Sequence, residues 1–279
     1  RVLDIENGVA ESERVSCGGI IRGLVLAHCK LNNVLCRWTD VTDATIFFER
    51  EKDERLSSNT EISESGIRYN AEFINGMSYS VTVRIYTDGE AEYTDRFIRV
   101  KNASYLVAVI NIGADVVGIE KELDLYKIPT HINFKSTDDW NEVCGEHADL
   151  FSSYMQRVCL KIDADEFVGP TDKRLAAFKN GSADENLFAL YLNYGRYLLL
   201  SSSICGRLPA NLQGKWNGDI EPAWHSDYHF DINIQMNYWL AENGNLGETT
   251  NAMFDYIDLF KQSGEAATKC IYGCRGILL

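Results

Sequence analysis

Between Val15 and Ile110 apolar residues recur at every second position. Val81, Val83 and Ile85 alternate with Thr82, Arg84 and Tyr86, the period of a strand with one buried face. The runs 19–27, 44–49, 67–74 and 105–110 have strand length and comparable turn spacing. Asp88-Gly89 supplies the positive-φ residues of a tight turn, so a hairpin is predicted there, its second strand passing through Tyr93 and Phe97 to Val100. Lys101-Asn102-Ala103-Ser104 predicts a break before the run that starts at Tyr105. No helix of useful length fits this block, and it predicts an antiparallel sandwich.

After a connector at about 111–137 the period becomes 3.6. Trp140, Val143, His147, Leu150, Phe151, Tyr154 and Val158 form an i, i+3, i+4, i+7 stripe, with Asp138 or Asp139 as the expected cap. A short helix is predicted from Thr171, closed by Asn180-Gly181. A longer one follows over 187–202, capped by Asp184, with Leu190, Tyr191, Tyr194, Tyr197 and Leu198 read as buried on more than one face. A last helix is predicted from about Glu248 to Lys261, ending before Ser263-Gly264. Strands first and helices afterwards, without βαβ alternation, predict two domains of different class: a β-sandwich domain over 1–112, a linker over 113–137 and a helical domain over 138–279.

Composition narrows the function. Forty-one acidic against 27 basic residues leave a net charge of −14, which repels both a phosphate backbone and an anionic bilayer. Nucleic acid and membrane are therefore not expected partners, and apolar runs fall well short of the roughly 18 residues of a spanning helix. The chain opens at Arg1 and stops at Leu279 within what reads as ordered sequence, so it is read as a piece of a longer protein. Its compartment and oligomeric state are not legible. The eight cysteines are scattered and are read as free buried thiols. Cys270 and Cys274, four apart in an expected helix, lack the second ligand pair of a zinc site.

The chemistry concentrates in 208–246. Three of the five tryptophans (Trp216, Trp224, Trp239) fall there with eight Asn or Gln residues and the carboxylates Asp219, Glu221, Asp227, Asp231 and Glu242. Aromatic faces pack against the C–H faces of a sugar, while amides and carboxylates supply the donor and acceptor each hydroxyl needs. The competing reading is a long loop whose amides satisfy its own backbone. The three tryptophans are expected mainly in the core. His225 and His229 have the i, i+4 spacing of metal ligands on a helix, but the alternating carboxylates Asp227 and Asp231 cannot share that face, and no metal or other cofactor is expected. No glycine-rich phosphate loop follows a strand.

The runs Asn211-Leu-Gln-Gly-Lys-Trp-Asn217, Trp224-His-Ser-Asp-Tyr-His229, Ile232-Asn233-Ile-Gln-Met-Asn-Tyr-Trp239 and Ala241-Glu242 closely resemble the signature of glycoside hydrolase family 95, the inverting α-L-fucosidases. The resemblance extends through His147-Ala-Asp-Leu-Phe151, Pro170-Thr-Asp-Lys-Arg174, Tyr194-Gly-Arg-Tyr-Leu198 and Tyr272-Gly-Cys-Arg-Gly276, covering about half the chain, 140–279. It implies part of an antiparallel β supersandwich followed by the first part of an (α/α)6 helical barrel, and exo-hydrolysis of α-L-fucosyl linkages in fucosylated oligosaccharides or glycans, without metal.

In the mechanism so implied, a glutamic acid protonates the leaving oxygen while water attacks from the opposite face, held by an Asn-x-Asn pair and a partner aspartate. That pair aligns with Asp231-Ile-Asn233, so Asp stands where Asn is more usual. His229 aligns with a sugar-contacting histidine, and the acid and its partner aspartate are expected in sequence following Leu279. Three alternatives stand beside this reading: an α-L-galactosidase, since L-galactose differs only by a C6 hydroxyl; a disaccharide phosphorylase, for which only Arg207 and Lys215 lie near as anion partners; and a non-catalytic sugar-binding pseudoenzyme, with Asp231 marking lost catalysis.

Overall fold

The computed structural model describes residues 1–16, 19–115, 133–162, 169–204 and 208–278, in two compact units, Arg1–Leu150 and Phe151–Leu279. Most of the expected connector, together with Cys17, Cys205 and Arg207, lies outside the described residues.

In the first unit the strands are β1 (Val2–Asp4), β2 (Val9–Ser16), β3 (Gly19–His28), β4 (Asn33–Ile46), β5 (Leu56–Ser63), β6 (Gly66–Phe73), β7 (Ser78–Thr87), β8 (Glu90–Tyr93) and β9 (Ile98–Asp115). All pairings are antiparallel, in the order β1-β2-β3-β4-β9-β7-β6-β5, with β8 also on β9. The long strands β4 and β9 carry the sheet's two faces in alternation. Cys36, Leu106 and Ala108 enter one core cluster, whereas Leu35, Val107 and Val109 enter the other. Phe48, in the connection just after β4, has its ring 4.5 Å from that of Tyr69 in β6, although β9 and β7 lie between β4 and β6 in the sheet. The sheet therefore folds over on itself and encloses its own core, as a sandwich requires.

Two local expectations are corrected. Asp88-Gly89 does not close a hairpin: β7 and β8 both pair with β9, Thr87 opposite Leu106 and Glu90 opposite Lys101. The Asp88 carboxylate instead accepts from the Ser104 and Tyr105 amides at 2.9 and 3.3 Å, bridging the jog between the two segments, and the reversal occurs at Thr94–Phe97, where Thr94 N–H donates to Phe97 O at 3.0 Å. Nor does 101–104 interrupt a strand. β9 runs through it with constant register against β4, accommodating left-handed Asn102 (φ 54°) and Asp40 (φ 57°).

Helix α1 (Thr137–Met155) lays Trp140 and Val143 on the outer sheet face, beside Leu35 and Val107. Its cap is Ser136 rather than Asp138 or Asp139: Ser136 Oγ accepts from Asp139 N–H (3.4 Å), and the Asp139 carboxylate accepts from Ser136 N–H (2.8 Å), a reciprocal capping box. Two buried histidines fasten this helix. His28 accepts the Lys30 and Leu31 amides on Nδ1 (3.2 and 3.3 Å), so its Nε2–H faces Val143 O at 3.2 Å. His147 likewise accepts Cys29 N–H on Nδ1 (3.4 Å) and turns Nε2 to Gly8 O at 3.3 Å.

The second unit holds α2 (Thr171–Lys179), α3 (Asn186–Ser203), α4 (Asn233–Asn243), α5 (Thr250–Asp258) and α6 (Lys261–Tyr272). Asn180-Gly181 ends α2 as predicted, Gly181 being left-handed at φ 92°. Asp184 does not chiefly cap α3. Its carboxylate forms a two-point pair with Arg174 at 2.9 Å, which together with the Leu187 amide holds it below the usual carboxylate range. The inward face of α3 also differs from the expectation: Tyr191 and Tyr194 are exposed, Leu190, Tyr197 and Leu198 half-buried, and Leu187, Ala189, Arg196, Leu199 and Leu200 buried. The single helix expected over 248–261 is two, broken at Leu259-Phe260, and α6 passes through Ser263-Gly264. Gly264 is there for close approach, since a Cβ would meet Leu278 O at 2.9 Å. Cys270 ends up in the last turn of α6, with Cys274 beyond the helix. Of the six described cysteines, none of them in a disulfide, only Cys36 is buried; Cys159, Cys270 and Cys274 are exposed, correcting the expectation of buried thiols.

Candidate functional site

The segment 208–246 is built on α4. One buried hydroxyl anchors its entrance: Tyr238 OH accepts Ala210 N–H at 3.0 Å and shares a 2.8 Å hydrogen bond with Ser203 of α3. Asn237 donates from Nδ2 to Ala210 O and Asn211 O (3.2 and 2.9 Å), tying the incoming strand to the helix. Asn211 and Gly214 then close a turn on each other, Asn211 Oδ1 accepting Gln213 N–H at 2.8 Å. Tyr228 OH donates to Pro209 O at 3.0 Å, and its ring packs against Tyr256 of α5 at 4.5 Å. Burial pushes the Tyr228 phenol up to about 12, with Tyr256 and Tyr238 adding to the shift. Phe230 stacks on the same tyrosine at 6.0 Å, so α5 supports the 227–231 stretch from beneath with aromatic rings.

Between these anchors Ala223–Ser226 forms a short turn in which Trp224 (φ 48°), His225 (φ 54°) and Ser226 (φ 52°) are all left-handed. Each such residue costs about 1–2 kcal/mol for an L side chain. The turn is held by Gln213, whose Nε2 donates to Ala223 O (3.4 Å) and whose Oε1 accepts from Ser226 Oγ (3.1 Å). Because this stretch is not a right-handed helix, the spacing that would set His225 and His229 on one face does not arise.

The amides of the segment divide into two groups. Those of Asn211, Gln213, Asn217, Gln235 and Asn237 are engaged within the segment, as the self-satisfying loop reading expects. Asn233, Asn243 and Asn245 make no side-chain hydrogen bond among the described residues; Asn243 and Asn245 are exposed, whereas Asn233, the first residue of α4, is half-buried. Asp231, two residues earlier, is exposed, and His229 is half-buried. The Ile234 amide donates to His229 O at 3.0 Å, drawing His229 to the first turn of α4 and so to Asn233. An unengaged amide and an exposed carboxylate at a helix start, with the main chain of His229 bonded to the same turn, can receive hydrogen bonds from a water and a sugar.

The tryptophans depart from expectation. Trp216, Trp224 and Trp239 are 53%, 74% and 61% exposed, so none belongs to the core. Two further residues carry no signal that composition reveals, Gln213 and Arg196. The latter is fully buried on α3 and donates to Tyr154 O (2.9 Å), Met155 O (2.7 Å), Val158 O (3.3 Å) and Gly244 O (3.0 Å), gathering the C-terminal carbonyls of α1 and α4. Its place in Tyr194-Gly-Arg-Tyr197 was the one available hint.

The family model of the glycosyl hydrolase family 95 catalytic domain matches residues 139–279. The chain belongs to glycosyl hydrolase family 95. Among curated relatives of this family 95 chain, alpha-L-fucosidase 2 of Arabidopsis thaliana is 43% identical over 106 residues, 38% of the chain and 12% of that protein. "Probable alpha-fucosidase A" of Aspergillus oryzae is 30% identical over 223 residues, 72% of the chain and 30% of that protein. The chain thus spans less than a third of the length of these relatives. Among solved structures, "Putative kojibiose phosphorylase from human microbiome" superposes with a TM-score of 0.51 at 10% identity, covering 96% of the chain and 35% of that structure. That likeness concerns the fold, a β sandwich followed by a helical barrel.

Proposed function

We propose that this chain carries the water-positioning part of an inverting exo-α-L-fucosidase acting on fucosylated oligosaccharides or glycans, in a catalytic domain that begins at 138. The observation that carries the reading is Asn233: of the three amides in the segment without a side-chain hydrogen bond among the described residues, Asn233, Asn243 and Asn245, it alone is half-buried and lies two residues from Asp231. The carbonyl of Asn233 and the carboxylate of Asp231 accept hydrogen bonds from the attacking water and fix its approach to the anomeric carbon. The C–O bond to the leaving group breaks on the opposite face as a carboxylic acid outside these residues protonates the departing oxygen, and a base takes the proton of the water. His229 contacts the sugar. Asp231 is assigned to orienting the water, as the Asn more usual at this position would, rather than to deprotonating it. Family membership and the fucosidase names of the relatives support this choice of sugar.

Two variants of the full-length protein test the assignment. Asn233→Ala is expected to lower kcat by roughly 10²–10³, whereas Asp231→Asn restores the commoner pair and is expected to cost less than about 10-fold. A loss approaching ~10²–10⁴ in Asp231→Asn would make Asp231 the base. A harmless Asn233→Ala would remove the site.

A further inference from the structure

Two turns of the 208–246 segment carry exposed tryptophans, and a single residue, Gln213, links them, by its main-chain carbonyl to the first and its side-chain amide to the second. Trp216 donates its N–H to Gln213 O at 3.3 Å, and its indole lies against Gly214, where a Cβ would come within 2.8 Å of the ring. Trp224 opens the left-handed turn, and the Gln213 side chain clamps that turn from both ends, at Ala223 O and Ser226 Oγ. A tryptophan serving the core would be covered by it, yet Trp224 is 74% exposed. Backbone held in a disfavoured conformation by a side-chain clamp fixes the position of the indole it carries, as a pre-positioned binding group requires. A pre-positioned indole face matches the C–H face of a pyranose, and the exposed imidazole of His225 beside it can serve a hydroxyl. The reacting sugar is already assigned to His229, Asp231 and Asn233.

We propose that Trp224 is a sugar-stacking residue forming a subsite for a non-terminal sugar unit of the glycan, and that Gln213 is its positioning residue. The inference rests on the glycosidase reading above. It assigns preference for extended over minimal substrates to a turn separate in sequence from the residues given to the reacting sugar.

The test uses the full-length protein and two substrates sharing a terminal fucosyl group: α-L-fucosyl fluoride, which has no second sugar, and a fucosylated trisaccharide. Trp224→Ala is expected to lower the trisaccharide-to-fluoride ratio of kcat/KM by about 10-fold, through KM for the trisaccharide, and Trp224→Phe to recover most of it. Gln213→Ala should move the ratio the same way by a smaller factor. An unchanged ratio in Trp224→Ala, including one produced by equal loss on both substrates, would overturn the subsite. A native protein that cleaves neither substrate would refute the glycosidase reading instead. Trisaccharide affinity, read by indole fluorescence in the native and Trp224→Ala proteins, would then still decide the subsite: equal affinities reject it, and an approximately 10-fold weakening supports it.

Discussion

Removing the guanidinium of Arg196 would leave four main-chain carbonyls without this donor, those of Met155 and Gly244 at buried hydrogen bonds and those of Tyr154 and Val158 at part-buried ones. Arg196→Met is therefore expected to lower the free energy of unfolding by about 3–5 kcal/mol, and Arg196→Lys, which keeps the charge but loses the planar fork, by a smaller amount. Urea denaturation of both variants checks this, and a loss below about 1 kcal/mol in Arg196→Met would show that the carbonyls find other partners. At this scale the sequence is legible where chemistry is local. The Asn180-Gly181 stop follows from backbone preference alone. The burial of Arg196 does not, because an arginine is admitted to a core only when tertiary structure assembles several helix ends around it. The exposure of Trp224 was illegible for the complementary reason: composition places indoles inside, and the left-handed turn that carries this one, clamped by Gln213, has no signature in the sequence.

The fastening of α1 to the sheet depends on two imidazoles being neutral. In both His28 and His147 the Nδ1 atom accepts a main-chain N–H, so protonation there would set donor against donor. Burial lowers the pKa of each from 6.5; for His28 the neighbouring His147 and Lys30 lower it further while the Val143 carbonyl and Glu146 oppose, and for His147 the Gly8 and Asn7 carbonyls oppose. The unfolded chain therefore binds these protons first. Stability from this pair is complete above pH 6.5, falls as pH drops from 6.5 toward the lowered folded values, and levels off below them. The slope is at most about 1.4 kcal/mol per pH unit for each histidine. His147→Gln, with an amide that accepts and donates without titrating, should flatten the pH dependence of the urea midpoint between pH 7 and 5; an unaltered slope would contradict the account. Elements were read from sequence most faithfully where one period dominates, as in β3, β6 and α1. Errors arose where local turn chemistry competes with long-range pairing. Asp88-Gly89 has hairpin composition, yet the 18-residue span of β9 recruits both flanking segments. Gly264 looks like a stop but lies inside α6, where close packing needs its missing side chain.

For the molecule as a whole, the change of period near 137 announces the change of architecture, and a net charge of −14 turns attention to a neutral ligand. The sandwich was legible as alternation; the folding of one sheet over itself was not, because it depends on β4 and β9 being long enough to carry both faces. The family signature lies in 208–246, where five of the eight amides brace the segment and Asn233, Asn243 and Asn245 make no side-chain hydrogen bond among the described residues. The central claim is that a positioned water, not an enzyme carboxylate, attacks the sugar. Proton NMR of the full-length protein acting on a fucosylated oligosaccharide tests it most directly, by the anomer of the first fucose released. The account predicts β-L-fucose appearing first and mutarotating to α; α-L-fucose as the initial product would contradict it.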